Sequence, residues 1–328
     1  MLPLNSHFDP HPLIPGPIAQ TIVGSQFTGK PSLPQRIQHR LQLDENNLLV
    51  LYELPASDPS APVVLLGHGM GGCSESGFIQ RITAKLHGEG FGVFMMNHRG
   101  SGVGSGLCDK LWNGGSSDDL SSVIQFIVER RPACDLLVMG FSLTGNILLK
   151  YLGEGRALPV QLKSAISVNP PADLKVASRQ ISEGPWSRTF NLYYLRLMNQ
   201  QVAAMLKQHP KAFRPTFKPK TIWEFDVGYT APAFGYPHVE AYYESASASQ
   251  FLGDITLPTT LLCSQDDPFI PPSIFEEARM SPQIDFINPA QGGHMGYISR
   301  KCNAFGDRRW MDFICVQWAK SLYPELTK

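Results

Sequence analysis

The sequence lacks an excess of either charge and is poor in charged residues as a whole. Its 328 residues include 28 Lys and Arg against 28 Asp and Glu, so the formal net charge is zero, and charged residues make up 17% of the chain. Clustered positive charge binds nucleic acids and anionic membranes, but Lys and Arg form no long cluster here. We therefore expect no nucleic acid partner.

Paired cysteines and long apolar runs are also lacking. The six cysteines are widely spaced without a C-x-x-C, so a zinc site or a redox pair is not expected, and free thiols fit a reducing compartment. No apolar run reaches the roughly 18 residues of a spanning helix, and the N-terminal stretch has no signal-peptide pattern. The sequence thus predicts a cytoplasmic protein without stable membrane insertion, and it carries no signature of an oligomeric state.

What the sequence contains is a series of short apolar runs that alternate with helical periodicity. Apolar runs without alternation are typical of strands buried on both faces, and their alternation with helices predicts an α/β fold with a mostly parallel sheet. An antiparallel hairpin is predicted at the sheet edge over 36–54. The predicted buried strands are 62–67, 92–97, 136–141, 165–170, 259–264 and 284–289. The predicted helices are 76–88, 118–131, 144–153, 273–280 and 307–322.

Two segments depart from this alternation within what we expect to be one domain over 1–328. Residues 1–35 are rich in Pro and Gly and are predicted to wrap over the domain without regular structure. Residues 171–254 hold no buried-strand run but contain helical stretches at 188–209 and 238–252. We interpret 171–254 as an inserted helical cap above the sheet. The alternative is that these helices cover one sheet face.

Three residue types with catalytic potential follow three of the predicted strands. Active sites of open α/β sheets form at the carboxyl ends of the strands, where Ser142, the pair Asp266 and Asp267, and His294 stand. The order Ser, Asp, His is that of hydrolases with a nucleophile elbow. We therefore predict Ser142 as nucleophile and His294 as its base, oriented by an acid. The alternative role for Ser142 is to cap the following helix.

The choice of acid and of base leaves alternatives. In this fold the acid usually stands four residues before a proline, which favours Asp267 in DDPFIP and leaves Asp266 as a turn-capping carboxylate or the second candidate. His68 and His98 also stand at strand ends. Both precede Gly-rich loops and are interpreted as residues that orient those loops, with His68 as the alternative base.

Glycine-rich stretches complete the predicted site. An oxyanion hole needs two backbone N–H donors, for which we predict Leu143, directly after the serine, and Met70 in the loop HGMGG. The alternative for that loop is a plain turn. HGMGGC lacks the Gly-Lys-Ser/Thr of a phosphate-binding loop, and GSGVGSG lacks the dinucleotide register. No cluster has metal-ligand spacing, so neither cofactor nor metal is expected.

Seven stretches together resemble the α/β hydrolases, and within them the YheT-type esterases, which are related to the eukaryotic abhydrolase-domain esterases and lipases. They are AQTI (19–22), LLGHGMGG (65–72), NHRGSG (97–102), GFSLTGN (140–146), YYESAS (242–247), DDPFIP (266–271) and GGHMGY (292–297). The resemblance implies a serine hydrolase of small-molecule carboxylic esters, either short-chain acyl esters or acylglycerols. Applied to this sequence, its triad falls on Ser142, Asp267 and His294.

One position departs from the family pattern. The family elbow reads G-F-S-L-G-G, whereas Thr144 stands here at the second position after the serine. A β-branched residue takes room where the helix start packs on the neighbouring strand. This departure motivates the hypothesis of a weak or inactive hydrolase that binds an acyl ligand. A third hypothesis is a related chemistry on the same triad, as in a thioesterase or lactonase.

Aromatic residues are frequent in the segment 171–254. They fit either an apolar pocket for an acyl chain or the hydrophobic core of the segment. The residues concerned are Phe190, Tyr193, Tyr194, Trp223, Phe234 and Tyr242.

Overall fold

The structure is a computed structural model that describes residues 7–27, 29 and 31–327. Within them, eight strands form one sheet in the order β1-β2-β4-β3-β5-β6-β7-β8. The strands are β1 (Ile37–Asp44), β2 (Asn47–Leu54), β3 (Val63–Gly67), β4 (Gly92–Asn97), β5 (Leu136–Phe141), β6 (Leu162–Val168), β7 (Thr259–Leu262) and β8 (Ile284–Ile287). Strands β1 and β2 form the predicted antiparallel edge hairpin, and β3 to β8 are parallel. The predicted α/β fold is confirmed.

Continuous apolar sequence explains the central strands. Every residue of β3, β4 and β5 is buried, as expected for parallel strands covered on both faces. Neighbouring residues point to opposite faces, so Val64 and Leu65 join two different hydrophobic clusters. Strand β8 is only partly buried because it forms the second edge of the sheet.

Helices cover both sheet faces. Helices α2 and α11 contribute to one cluster with Val64, and α3 and α4 contribute to the other with Leu65. Four of the five predicted helices match within three residues at each end, whereas α10 ends at Glu276 instead of residue 280. These five helices are α2 (Gly77–Gly88), α3 (Ser117–Arg130), α4 (Leu143–Gly153), α10 (Ser273–Glu276) and α11 (Trp310–Leu322).

The prediction that residues 1–35 have no regular structure is wrong for 16–26, because helix α1 (Gly16–Gln26) lies there. Helix α1 has Pro17 in its first turn, where a proline costs no hydrogen bond. Its buried residues Gln20, Thr21 and Gly24 are polar or small, so the helix has no apolar stripe that the sequence could reveal. Residues 1–6, 28 and 30 of the predicted wrap lie outside the described residues.

The chain between β6 and β7 is helical. Its helices are α5 (Leu174–Glu183), α6 (Ser187–Gln208), α7 (Ile222–Phe225), α8 (Ala231–Ala233) and α9 (Val239–Ala246), with π-helical turns over Asp226–Thr230. Helix α6 matches the predicted stretch 188–209. The predicted stretch 238–252 is divided at Ser247, after which a 3₁₀ helix follows, and α5 was not predicted. The division of the chain into core and cap stays a prediction.

Candidate active site

Ser142 occupies a sharp turn between β5 and α4. Its backbone lies at φ 52° and ψ −121°, a left-handed conformation that a non-glycine residue adopts only under local constraint. Glycines make the turn possible. A Cβ on Gly140 would lie 2.7 Å from the carbonyl oxygen of Thr144, and a Cβ on Gly69 would lie 2.8 Å from the Cβ of Ser142. This is the strand-turn-helix geometry that exposes a serine at the end of a sheet.

The structure brings Ser142, His294 and Asp267 into one hydrogen-bonded chain. Ser142 Oγ lies 2.9 Å from His294 Nε2, and His294 Nδ1 lies 2.8 Å from Asp267 Oδ2. An ionised carboxylate only accepts hydrogen bonds, so Nδ1 carries a proton and Nε2 is left to accept the serine proton. His294 and Asp267 are both buried, which shields their contact from water. The arrangement can transfer a proton from the serine to the imidazole.

The two neighbouring aspartates have different partners. Asp267 Oδ1 accepts hydrogen bonds from the backbone N–H groups of Phe269 (2.8 Å) and Ile270 (3.2 Å), which leaves Oδ2 directed at the imidazole. Asp266 Oδ1 instead accepts the backbone N–H of Gly293 at 2.8 Å. Burial raises the pKa of Asp266 above its ordinary value. Asp266 therefore fixes the loop before the histidine, and Asp267 contacts the ring.

Sequence reasoning missed Asn169, which follows β6. Its Nδ2 donates a 2.7 Å hydrogen bond to Asp267 Oδ2, the same oxygen that accepts from His294. Asn169 adopts a φ of 46°, a conformation that asparagine tolerates better than most residues. The signal was available, because Asn169 stands at the end of an apolar run like the other site residues. It holds the carboxylate in place for the histidine.

Sequence reasoning also missed the support that α1 gives to the histidine loop. Thr21 Oγ1 accepts the backbone N–H of His294 at 2.9 Å, and Gln20 Oε1 accepts that of Ile298 at 2.7 Å. Gly24 packs so close that a Cβ there would lie 2.6 Å from the Cα of Gly296. The stretch AQTI, noted only as part of a resemblance, therefore positions the loop that carries the histidine.

Met70 and Leu143, the predicted oxyanion donors, line one cavity together with Ser142 and His294. Their backbone N–H groups have no acceptor within the part of the chain that the structure describes. Gly71, in the same loop as Met70, has a φ of +72°, a conformation that glycine adopts without strain. Two free N–H groups beside the serine can bind an oxygen that gains negative charge.

Thr144 fits the elbow because Gly67 leaves it room. A Cβ on Gly67 would lie 2.3 Å from the methyl carbon of Thr144. The threonine methyl group therefore occupies space that the side chain of any residue other than glycine at position 67 would need. The buried Thr144 hydroxyl donates to the carbonyl oxygen of His68 and lies 2.7 Å from His98 Nε2. The expected steric conflict is therefore absent, and the threonine ties the start of α4 to two loops.

His68 and His98 lie fully buried beneath the loop after β3. His68 Nδ1 donates to the carbonyl oxygen of Gly69 at 2.8 Å, and its Nε2 accepts the backbone N–H of His98 at 3.3 Å. Burial lowers the pKa of His68 to about 4 and lowers the pKa of His98 as well. The His98 ring stacks on Trp112 with 4.0 Å between ring centres. Both rings are neutral at pH 7, and the nitrogens of His68 are engaged away from Ser142.

A cavity opens above Ser142, between the strand ends and the helices that precede β7. It holds about 890 Å³ of empty space, including the part open to solvent. Of the six aromatics considered from sequence, Tyr194 and Tyr242 line it. Phe190 belongs to the large hydrophobic cluster that contains Leu65, Trp223 and Phe234 each pack against one of two smaller clusters, and Tyr193 is exposed. Most of the other lining side chains are aliphatic or aromatic, which suits a largely apolar ligand.

The parallel sheet, the serine-bearing turn and the residues gathered at the strand ends define the class of α/β enzymes with a nucleophile elbow. The chain belongs to the α/β-hydrolase fold family, whose model matches residues 62–301. No helix within the described residues is long and apolar enough to cross a lipid bilayer.

Relatives and solved structures agree with this family. The chain is 27% identical over 284 residues to a monoacylglycerol lipase of Saccharomyces cerevisiae, covering 83% of this chain but only 62% of that protein. It is 27% identical to the YheT protein of Escherichia coli, covering 79% and 78% of the two chains, which confirms the resemblance. The Pyrococcus furiosus esterase Pf2001 shares the fold, with a TM-score of 0.55 and 12% identity over 89% of this chain and 97% of the other.

Proposed function

We propose that the chain is a serine hydrolase that cleaves carboxylic esters through an acyl-enzyme, with short-chain acyl esters or acylglycerols as substrates. The observation that carries the proposal is the continuous contact from Ser142 Oγ through His294 to Asp267, at the floor of a cavity. Serine alone is a weak nucleophile, and a histidine with an oriented lone pair at 2.9 Å overcomes that weakness.

The first half of the reaction forms the acyl-enzyme. His294 Nε2 takes the proton of Ser142 while the serine oxygen attacks the ester carbonyl carbon. The carbonyl oxygen becomes negative and is bound by the N–H groups of Met70 and Leu143. The tetrahedral intermediate then collapses, the bond to the alcohol breaks, and the alcohol oxygen leaves with the proton from His294.

The second half releases the acid. A water molecule gives a proton to His294 Nε2 and attacks the acyl carbon. The second tetrahedral intermediate then collapses, the bond to Ser142 Oγ breaks, and His294 returns the proton to that oxygen as the acid leaves. In both halves Asp267 stabilises the charged imidazolium, and Asn169 holds the Asp267 oxygen that does so. No group outside the chain, ester and water takes part in these steps.

The relatives support the ester as substrate. The similar yeast protein is named a monoacylglycerol lipase, and the similarity extends over 83% of this chain. Because the chain spans about three fifths of that protein's length, the activity is carried over here as a proposal and not as a property of the whole relative.

The alternative of an inactive acyl-binding protein was based on Thr144. The room that Gly67 leaves for its methyl group removes the steric argument for that alternative. Thioesters and lactones would react by the same steps as oxygen esters, so they are competing substrates of the same proposed site. They differ in the leaving group and not in the residues used.

Labelling with a fluorophosphonate tests the proposal, because the probe reacts only with an activated serine. We expect one adduct, mapped to the peptide that contains Ser142, in the wild-type protein and in Ser164→Ala, whose serine lies in β6 and donates to Pro258. Ser142→Ala should lose both the adduct and the hydrolysis of butyrate esters, by roughly 10⁴-fold or more. A folded wild-type protein without an adduct would favour the acyl-binding alternative. A panel of matched oxygen esters, thioesters and lactones then orders the substrates.

A further inference from the structure

A buried carboxylate lies in the helical wall of the cavity. Asp226 begins the π-helical turns after α7 and is only 8% exposed, yet it lines the same cavity as Ser142 and His294. Burial raises the pKa of Asp226 to about 6. The proposed steps of ester cleavage make no use of this group. Buried ionisable groups in a cavity often serve binding or catalysis.

Three hydroxyl groups surround this carboxylate. The Tyr243 hydroxyl donates to Asp226 Oδ2 at 2.8 Å, and the hydroxyl of Thr230 also hydrogen-bonds the carboxylate. The Ser178 Oγ lies 2.8 Å from the same Tyr243 oxygen. Because the phenol has one proton, which the carboxylate accepts, the serine is the donor in that contact. All four side chains line the cavity. A carboxylate can accept about four hydrogen bonds and a hydroxyl two, so Asp226 and Ser178 can each accept a further one beyond the contacts described.

The carboxylate has no cationic partner within 4.0 Å among the described residues. A structural cross-link between α5, α9 and the π-helical turns would form as well with a neutral side chain, without the cost of a buried charge. A group that donates a hydrogen bond from within the cavity would compensate that cost. A hydroxyl fits better than an ammonium ion, because it loses less hydration on entering a cavity lined mostly by apolar side chains.

We propose that Asp226 and Ser178 form a hydroxyl-binding subsite, which selects esters that carry a free hydroxyl group away from the bond that is cleaved. The inference rests on the proposed ester hydrolysis and names the substrate class of the same cavity. The hydroxyl belongs either to a polyol alcohol, as in a glycerol ester, or to a hydroxylated acyl chain. Tyr243 and Thr230 position the carboxylate through their own hydroxyls.

Two matched substrate pairs test the subsite and distinguish the two sources. Monobutyrylglycerol against propyl butyrate varies the alcohol, and ethyl hexanoate with or without a terminal hydroxyl varies the acyl chain. The kcat/KM ratio within each pair is measured for the wild type, Asp226→Asn, Ser178→Ala and the control Ser182→Ala. Ser182 lies one turn further along α5, is similarly buried and accepts the backbone N–H of Trp223 outside the cavity lining.

We expect the wild type to prefer the hydroxylated member of one pair by roughly 10-fold or more, as for a hydrogen bond to a charged group. Asp226→Asn and Ser178→Ala should reduce that ratio to within about 3-fold of unity, and Ser182→Ala should keep it. The proposal is overturned if the wild type treats both pairs alike, if the ratio survives both variants, or if a choline ester is preferred over the glycerol ester.

Equilibrium binding of the same pairs to Ser142→Ala separates this inference from the proposed reaction. A hydroxyl preference in binding that Asp226→Asn abolishes would support the subsite even if no ester were cleaved. Cleavage of both members of each pair, without a hydroxyl preference in binding or in rate, would leave the ester hydrolysis intact and refute the subsite.

Discussion

The strand-end loops and the helical segment over 171–254 form opposite walls of one cavity, and they are built differently. In the loops, polar groups contact one another at 2.7 to 2.9 Å and several residues have positive φ. In the helical segment, aliphatic and aromatic side chains form most of the wall, and its polar side chains are Gln201, Asp226 and the hydroxyl partners of Asp226. The contrast indicates that the loops are suited to chemistry and the helices to the choice of substrate.

The difference has a physical origin. Neighbouring parallel strands lie about 4.8 Å apart, so the residues that follow them meet at fixed distances whatever their distance in the sequence. The helices between β6 and β7 pack mainly through two small apolar clusters, to which Leu111 also contributes. Such packing accepts changes of side chain more readily than a hydrogen-bonded chain of charged and polar groups does.

The largest expected effect is a difference in catalytic activity between variants of the two neighbouring aspartates in the strand-end loops. Asp267→Asn should lower kcat by about 10⁴-fold, because an amide neither fixes the imidazole tautomer nor stabilises its cation. Asp266→Asn keeps an acceptor for the Gly293 N–H and should cost less than about 10-fold, as an indirect change. Steady-state hydrolysis of a butyrate ester by both variants measures the difference. A larger loss in Asp266→Asn would assign the acid to Asp266.

A smaller expected effect is the change of the unfolding free energy with pH, to which His68 in the strand-end loops and Asp226 in the helical segment contribute in opposite directions. His68 has a pKa of about 4 in the folded protein against its ordinary 6.5, so the unfolded chain binds a proton between these values that the folded protein does not. The stability from this group is present above pH 6.5 and is lost as the pH falls to about 4, by about 3 kcal/mol. Asp226 acts oppositely, since its pKa of about 6 lies above the ordinary 3.8 and acid favours its folded state.

Urea unfolding at a series of pH values between 7.5 and 4, a range of about 3.5 units, gives the unfolding free energy at each pH. The slope of the unfolding free energy against pH tests the prediction. His68→Asn should flatten the loss of unfolding free energy in acid, and Asp226→Asn should steepen it. A variant that is less stable at every pH can still be compared, because a uniform loss of unfolding free energy does not change the slope. An unchanged slope in His68→Asn would mean that this histidine is not buried in its neutral form.

The smallest expected effect tests how the elbow holds Thr144. Thr144→Val keeps the shape but removes the hydroxyl that contacts His68 and His98, and should lower the unfolding free energy by about 1–3 kcal/mol. Thr83→Val is the matched control, because Thr83 is also fully buried but its hydroxyl has no hydrogen-bond partner among the described residues. That control should be neutral or more stable. Equal losses in both variants would contradict the role given to the Thr144 hydroxyl.

Much of the fold could be predicted from the sequence, but not all of it. The buried strands were predictable because parallel strands covered on both faces require continuous apolar sequence. Helix α1 was not, since its buried side is formed by Gln20, Thr21 and Gly24, which give no apolar period. Asn169 was overlooked although it follows a strand, because its role depends on a carboxylate 98 residues away.

The sequence by itself determined the α/β sheet and the position of Ser142, Asp266, Asp267 and His294 at strand ends, because apolar periodicity is local and parallel strands bring their ends to one edge. Only the tertiary structure decided which aspartate faces the imidazole, how Gly67 makes room for Thr144 and where Asp226 meets the cavity. These features depend on side-chain directions and on contacts between residues distant in the sequence, such as the 76 positions between His68 and Thr144. No local pattern records such contacts.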